Sequence, residues 1–212
     1  MTAPLTKPQI AARLAADIPP GSYVNLGIGI PTLVANAVDP ASEVVLQSEN
    51  GILGSGGHAD PGTEDYDFVD AGKAFIKLLP GASLFDSADS FGMMRSGALD
   101  IAVLGAFQVS ATGDLANWRT LDPELAPSVG GAMDLAVGAK QVFVAMTLFD
   151  REGRCKLVQE CEFPLTAPGC VTRVYTDYAV FAIRTDGVEV VEAFGGATHA
   201  DLEEWTGLTL LG

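Results

Sequence analysis

Leu46-Gln47-Ser48-Glu49-Asn50-Gly51 is the stretch around which the rest of the chain arranges itself. Just before it, Glu43 to Leu46 (Glu-Val-Val-Leu) predicts a short buried strand, with two β-branched residues and no breaker. Just after it come Gly54, Gly56 and Gly57. A carboxylate, Glu49, is therefore set on a sharp turn at the carboxyl end of a strand. In open α/β sheets that rim is where ligands bind. A polar turn also carries solvated glutamates as a matter of course, so Glu49 gains meaning only from its surroundings.

Outward toward the amino end, Tyr23 to Leu26 predicts the first strand. It runs into Asn25-Leu26-Gly27-Ile28-Gly29-Ile30-Pro31-Thr32, with a helix through Ala37. Strand, glycine loop and proline-led helix together present backbone N–H groups to an anion, and Gly27 and Gly29 let a ligand approach closely. Gly27-x-Gly29 lacks the third glycine of a dinucleotide fingerprint, which argues against a nicotinamide site. Before this strand, Thr6-Lys7-Pro8 starts a helix whose Ile10, Leu14 and Ile18 share one face, and Pro19-Pro20-Gly21 stops it.

Outward toward the carboxyl end, Gly54 to Asp67 is too rich in Gly, Asp and Pro to predict regular structure. A helix is expected to carry Lys73 and Lys77 one turn apart. Further expectations are a strand over Ala82 to Phe85, a helix over Ser87 to Met94 and an apolar strand over Ile101 to Leu104. Gly130-Gly131-Ala132-Met133-Asp134 opens a helix through Val137, and Gln141 to Leu148 is a long apolar strand. The tail alternates instead: Val180 to Arg184 and Val188 to Ala193 flank Thr185-Asp186-Gly187, a hairpin signal. Thr198-x-x-Asp201 then caps a last helix. Continuous apolar strands alternating with helices predict an α/β fold. It is an open, mostly parallel sheet with helices on both faces and a C-terminal antiparallel hairpin. With no repeat or linker visible, residues 1–212 read as a single domain.

Twelve Lys and Arg against 27 Asp and Glu give a net charge of −15 over 212 residues. That argues against nucleic acid and anionic membrane as partners. Local cations can still govern a pocket, because salt screens exposed charges beyond about 8 Å. Cys155, Cys161 and Cys170 match no metal or redox spacing, and two histidines are a poor ligand supply, so no metal is expected. Met1 to Ala16 lacks the apolar core of a signal peptide, and no apolar run approaches a membrane span. The expectation is a soluble cytoplasmic protein.

Several segments in order resemble the β subunit of the class I 3-oxoacid coenzyme A-transferases. They are Tyr23 to Thr32, Ser48-Glu49-Asn50-Gly51, Ala71-Gly72-Lys73, Gly113-Asp114-Leu115-Ala116-Asn117-Trp118 and Gly130-Gly131-Ala132-Met133-Asp134-Leu135. Ile101 to Ser110 and Pro164-Leu165-Thr166 are similar to the 3-oxoadipate (β-ketoadipate) branch, of aromatic degradation. The chain departs from the family pattern at Arg95-Ser96-Gly97-Ala98, at Met146-Thr147-Leu148 and at Gly54-Ser55-Gly56-Gly57, which touches the shape of the acyl pocket.

The resemblance implies ping-pong transfer of coenzyme A, a substrate here with no permanently bound cofactor, from succinyl-CoA to a 3-oxoacid. Glu49 would be the nucleophile that carries coenzyme A as a glutamyl thioester. Asn25 and the backbone around Gly130 and Gly131 would form the oxyanion hole. Lys73, with Gly27 and Gly29, would contact coenzyme A. A dicarboxylic acceptor on so acidic a protein needs a cation near the acyl pocket, and Arg95 and Arg119 are the candidates. The partner implied is an α subunit in a hetero-oligomer, two of each chain, that closes the site against water. Two alternatives remain open on the sequence: transfer to acetoacetate or another short-chain acid, and an acyl-CoA hydrolase. A ligand-binding module on the same fold would need no carboxylate nucleophile.

Overall fold

A computed structural model describes residues 3–212. The first half of the chain carries α1 (Lys7–Ala15), β1 (Tyr23–Leu26), α2 (Ile30–Val34), β2 (Val45–Ser48), β3 (Ile52–His58), β4 (Ile76–Leu84) and α3 (Ser87–Arg95). Then come β5 (Ile101–Leu104), β6 (Gln108–Ser110), β7 (Leu115–Ala116), α4 (Ala132–Gly138) and β8 (Gln141–Ala145). Last are β9 (Leu157–Val158), β10 (Val171–Tyr175), β11 (Ala179–Arg184), β12 (Gly187–Ala193), α5 (His199–Thr206) and β13 (Leu210–Leu211).

Ten strands form one sheet in the order β13-β12-β11-β10-β8-β5-β1-β2-β3-β4. Its middle, β10-β8-β5-β1-β2, is parallel throughout. These are the strands with unbroken apolar runs, as burial on both faces requires. Alternation sorts β5 cleanly. Ile101 and Val103 pack with Ile10, Leu14 and Val34 of α1 and α2, whereas Ala102 and Leu104 pack with Met94, Leu135 and Leu202 of α3, α4 and α5. Helices thus cover both faces. Each fully buried Leu, Ile or Met contributes roughly 1.5–3 kcal/mol relative to exposure. The expected C-terminal hairpin is β11–β12, with Arg184 opposite Gly187.

Three expectations are corrected. β2 begins two residues late, because Glu43 caps a short 3₁₀ turn in the left-handed region (φ 56°), and pairing with β1 starts only at Val45. The glycine-rich stretch after Glu49 is not wholly irregular: Ile52–His58 is a strand paired antiparallel with β2 and β4. Its glycines let neighbouring backbones lie close rather than breaking the strand. Lys73 and Lys77 share no helix. Lys73 sits in a turn at φ 66°, and Lys77 is on β4, which extends the expected Ala82–Phe85 strand back to Ile76. A small sheet in the order β7-β6-β9 lies outside the main one and has no counterpart among the expected strands.

All five parallel strands end on one rim. Glu49 follows β2, Gly27 follows β1, Gly105 follows β5 and Met146 follows β8. No described helix is long and apolar enough to cross a membrane.

Candidate active site

Each neighbour of Glu49 has a holding task. The turn closes through the Gly51 N–H, which donates to Ser48 O at 3.0 Å. Gly51 has φ 101°, and the carbonyl oxygen of Phe85 occupies the place where a Cβ would stand. Ser48 Oγ accepts from the Ala71 N–H at 3.2 Å, and Asn50 Nδ2 donates to Val69 O at 2.8 Å. These two bonds fasten the loop bearing Lys73 to the Glu49 turn. Among the described residues, Glu49 has no ion pair and no side-chain hydrogen bond. Its carboxylate is half-buried and uncommitted.

Behind the turn lies a buried polar chain. Asn25, 2% exposed, donates through Nδ2 to Gln47 O at 3.2 Å and also to Gln47 Oε1. Gln47 Nε2 in turn donates to Ser90 Oγ at 2.7 Å. The register places Asn25 opposite Gln47 across β1 and β2, so both amides face α3. Burying such groups unpaired would cost about 1–3 kcal/mol each, which is why the chain closes on itself.

In front of Glu49 is a cavity of about 510 Å³. Asn25, Gly27, Gly29, Glu49, Gly130 and Gly131 all line it. Gly131 is the tightest contact: a Cβ there would overlap Glu49 Oε2 and come within 3.4 Å of the Phe91 ring. Lys73 is exposed beside the cavity, and Ala71 of its loop is part of the wall. Arg95 and Arg119 are not brought to it. Arg95 Nε is held by Asp134 Oδ1 at 2.6 Å and its guanidinium lies over the Phe91 ring, while Arg119 is exposed beyond Trp118. Asp134 claims Arg95 because the two face each other between α3 and α4, a contact between distant segments.

Sequence reasoning missed the cations that do line the cavity, Lys7 and Lys156. Burial pulls the Lys156 amine down to about 8, against the opposing pull of Asp177 and Asp150. Its neighbourhood, Arg154-Cys155-Lys156-Leu157-Val158, carries no local sign of this. Burial likewise pushes the Cys161 and Cys170 thiols up to about 11, so neither is a reactive thiolate near neutral pH. No group of three or more metal-ligating side chains forms among the described residues.

Residues 7–193 match the family described as Coenzyme A transferase. The chain belongs to the coenzyme A transferase family. Among curated coenzyme A transferases, it is 53% identical over 211 residues to a 3-oxoadipate CoA-transferase subunit of Pseudomonas putida, covering 100% of this chain and 99% of the relative. It is 47% identical over 197 residues to a succinyl-CoA:3-ketoacid coenzyme A transferase subunit of Helicobacter pylori, with 93% and 94% covered. Among solved structures, an apoenzyme acyl-CoA transferase of Escherichia coli O157:H7 has the same fold. The TM-score is 0.73 at 21% identity, spanning 100% of this chain and 43% of that one.

In this coenzyme A transferase the rim of the cavity carries exposed apolar side chains. Ile28 and Val129 on its lining are 68% and 81% exposed, and Met133 on α4 is 58% exposed. A hydrophobic rim of that kind marks a surface for a ligand or another chain.

Proposed function

We propose that this chain is the β subunit of a 3-oxoacid coenzyme A-transferase that moves coenzyme A from succinyl-CoA to 3-oxoadipate through a glutamyl thioester on Glu49. The observation that carries the reading is the uncommitted Glu49 carboxylate, held by its turn at the cavity and pressed against Gly131. Glu49 attacks the acyl-CoA carbonyl and expels the coenzyme A thiolate, forming a mixed anhydride. The thiolate attacks the glutamyl carbonyl, which frees the donor acid and leaves coenzyme A on Glu49. The acceptor carboxylate reverses the two steps. Every attacking group is an anion already, so no metal or general base is required.

Each tetrahedral intermediate carries an oxyanion, for which preorganised donors are the largest catalytic contribution. The N–H groups around Gly130 and Gly131 and the amide of Asn25 border the same cavity. Asn25 must turn its nitrogen from Gln47 to serve. Gly27, Gly29 and Lys73 flank the cavity where coenzyme A enters. Identity of 53% along essentially the whole Pseudomonas putida subunit supports the 3-oxoadipate branch.

The reading includes an α subunit, two of each chain forming a hetero-oligomer with residues 1–212 as one domain. The exposed apolar rim supports it, and the relatives are named as subunits of transferases rather than as whole enzymes. The test is incubation of the reconstituted pair with acyl-CoA and no acceptor. A coenzyme A thioester on the Glu49 peptide, absent in Glu49→Gln, is the expected result. Exchange that persists in Glu49→Gln, with deamidation excluded, refutes it.

A further inference from the structure

Glu49, Lys7 and Lys156 are the charged side chains that line the 510 Å³ cavity. The negative charge follows β2, whereas Lys156 stands on the far side: its N–H donates at 2.8 Å to the carbonyl of Leu148, just beyond β8. In the sheet order β8-β5-β1-β2, those strands are three spacings apart, or about 14 Å. Both side chains reach inward from these ends. Both line the same cavity, so an acyl chain whose carbonyl sits at Glu49 and runs along the cavity brings a second carboxylate toward the lysines.

Neither lysine is held in an ion pair. Among the described residues, no carboxylate lies within ion-pair distance of Lys7 or Lys156, although Arg95, Lys77 and Lys140 are each so paired. Lys156 is half-buried, and its backbone is fixed on both sides, since its carbonyl accepts from the Val109 N–H at 2.9 Å. A half-buried ammonium without a partner is costly, and an arriving carboxylate removes that cost.

We infer that Lys156, with Lys7 beside it, binds the distal carboxylate of the acyl group and so selects dicarboxylic over monocarboxylic substrates. The inference rests on the transferase reading above. The distal carboxylate of a 3-oxoadipyl group lies two carbons further from the reacting carbonyl than that of a succinyl group, a difference that the flexible four-carbon stem of a lysine accommodates. The groups facing Lys156 are Lys7, Cys155, Asp150 and Asp177. Burial brings its amine to about 8, so the contact weakens as pH rises through that value. A phosphate of coenzyme A held at the same lysines would make the effect of losing Lys156 independent of the acid, which the comparison of acceptors below reads.

The test compares 3-oxoadipate with acetoacetate as acceptors, using this chain paired with its α subunit, in wild type, Lys156→Met and Lys156→Arg. In ping-pong kinetics, kcat/KM for the acceptor reports only the second half-reaction, so the donor does not confuse the comparison. In Lys156→Met the loss for 3-oxoadipate should exceed that for acetoacetate by about 30-fold or more. Lys156→Arg should recover much of the preference. The wild-type preference should decline as pH rises through about 8. Equal losses for both acids, no loss for either, or a loss confined to the KM of the acyl-CoA donor would overturn the assignment. Adduct formation on Glu49 from succinyl-CoA, measured in the same variants, keeps the two readings separate. An adduct in Lys156→Met with unaltered acid preference defeats only the lysine assignment, and no adduct in wild type defeats both.

Discussion

The Glu49 carboxylate occupies the space that a side chain on Gly131 would need, since a Cβ there would overlap Oε2. The Glu49 turn and the entry to α4 are therefore fitted to each other, although Glu49 and Gly131 lie 82 positions apart in sequence. Gly131→Ala should displace the carboxylate while leaving the core intact. A misplacement near 1 Å can cost ~10² in rate, so a fall in kcat of about that size is expected. Gly92→Ala on α3 is the control, because its Cβ would meet nothing within 4 Å and Gly92 is not on the cavity lining. Steady-state exchange and a thermal melt on both variants decide the matter; similar rates in the two would show that the contact is not felt.

The Asn25–Gln47–Ser90 chain separates a catalytic from a structural role. Ser90→Ala leaves Gln47 Nε2 buried without its acceptor, which should cost about 1–3 kcal/mol in urea unfolding with a modest effect on rate. Asn25→Ala should lose comparable stability and also slow exchange by ~10²–10³, the expectation for an oxyanion donor. If Ser90→Ala slows exchange as much as Asn25→Ala, then Asn25 only positions its neighbours.

Much of this is legible in the chain because its signals are local. β1 and β5 lie at the bounds read from their apolar runs, and Thr198 and Asp201 form the reciprocal cap read from their spacing. Ser48-Glu49-Asn50-Gly51 reads as a turn because Asn and Gly favour one. The failures are contacts between distant segments. Lys73 and Lys77 have helical spacing, yet Ile76 and Leu78 pair across to His58 and Ser55, which makes the segment a strand. Lys156 directly precedes β9, which pairs with the distant β6, and it is half-buried there; no residue near it in sequence announces that. Arg95 is a reasonable cation for the acyl pocket on sequence alone, but Asp134, on another helix, takes it.

Asp17 ties α1 to the sheet. Its carboxylate accepts from Arg13 at 2.7 Å, from Arg173 at 2.7 Å and from the Tyr175 hydroxyl at 2.8 Å. Burial works against its charge, but the hydrogen bonds from Arg13 and Tyr175 and the charges of Arg13 and Arg173 outweigh burial and lower its pKa. A carboxylate with a lowered folded pKa contributes stability above its unfolded value and loses it as pH falls through the folded one. Asp17→Asn should cost about 1.5–3 kcal/mol near neutral pH. That deficit should shrink as pH falls below the ordinary carboxylate range. Urea midpoints for both proteins down the acid limb measure it; a deficit constant with pH would mean the charge is not what matters.

Lys156 should reveal itself in stability with the opposite sign. Burial lowers its amine from 10.5 to about 8, chiefly against the charges of Asp177 and Asp150. The unfolded chain keeps its proton up to the higher value, whereas the folded chain releases it above the lower. Between them the unfolded state binds more protons, so stability rises with pH across that window. Below about 8 the folded protein carries the full cost of a desolvated ammonium. Lys156→Met keeps the bulk and removes the charge. It should therefore be more stable than wild type at neutral pH, by on the order of 1–3 kcal/mol. The gap should close as the pH is raised from about 8 toward 10.5. Denaturant unfolding of both proteins across this range is the measurement. A variant less stable than wild type at neutral pH would mean that Lys156 already has a partner within the folded chain. A stabilised variant that has also lost its preference for 3-oxoadipate would show a cation kept at a cost to the fold for the sake of the substrate.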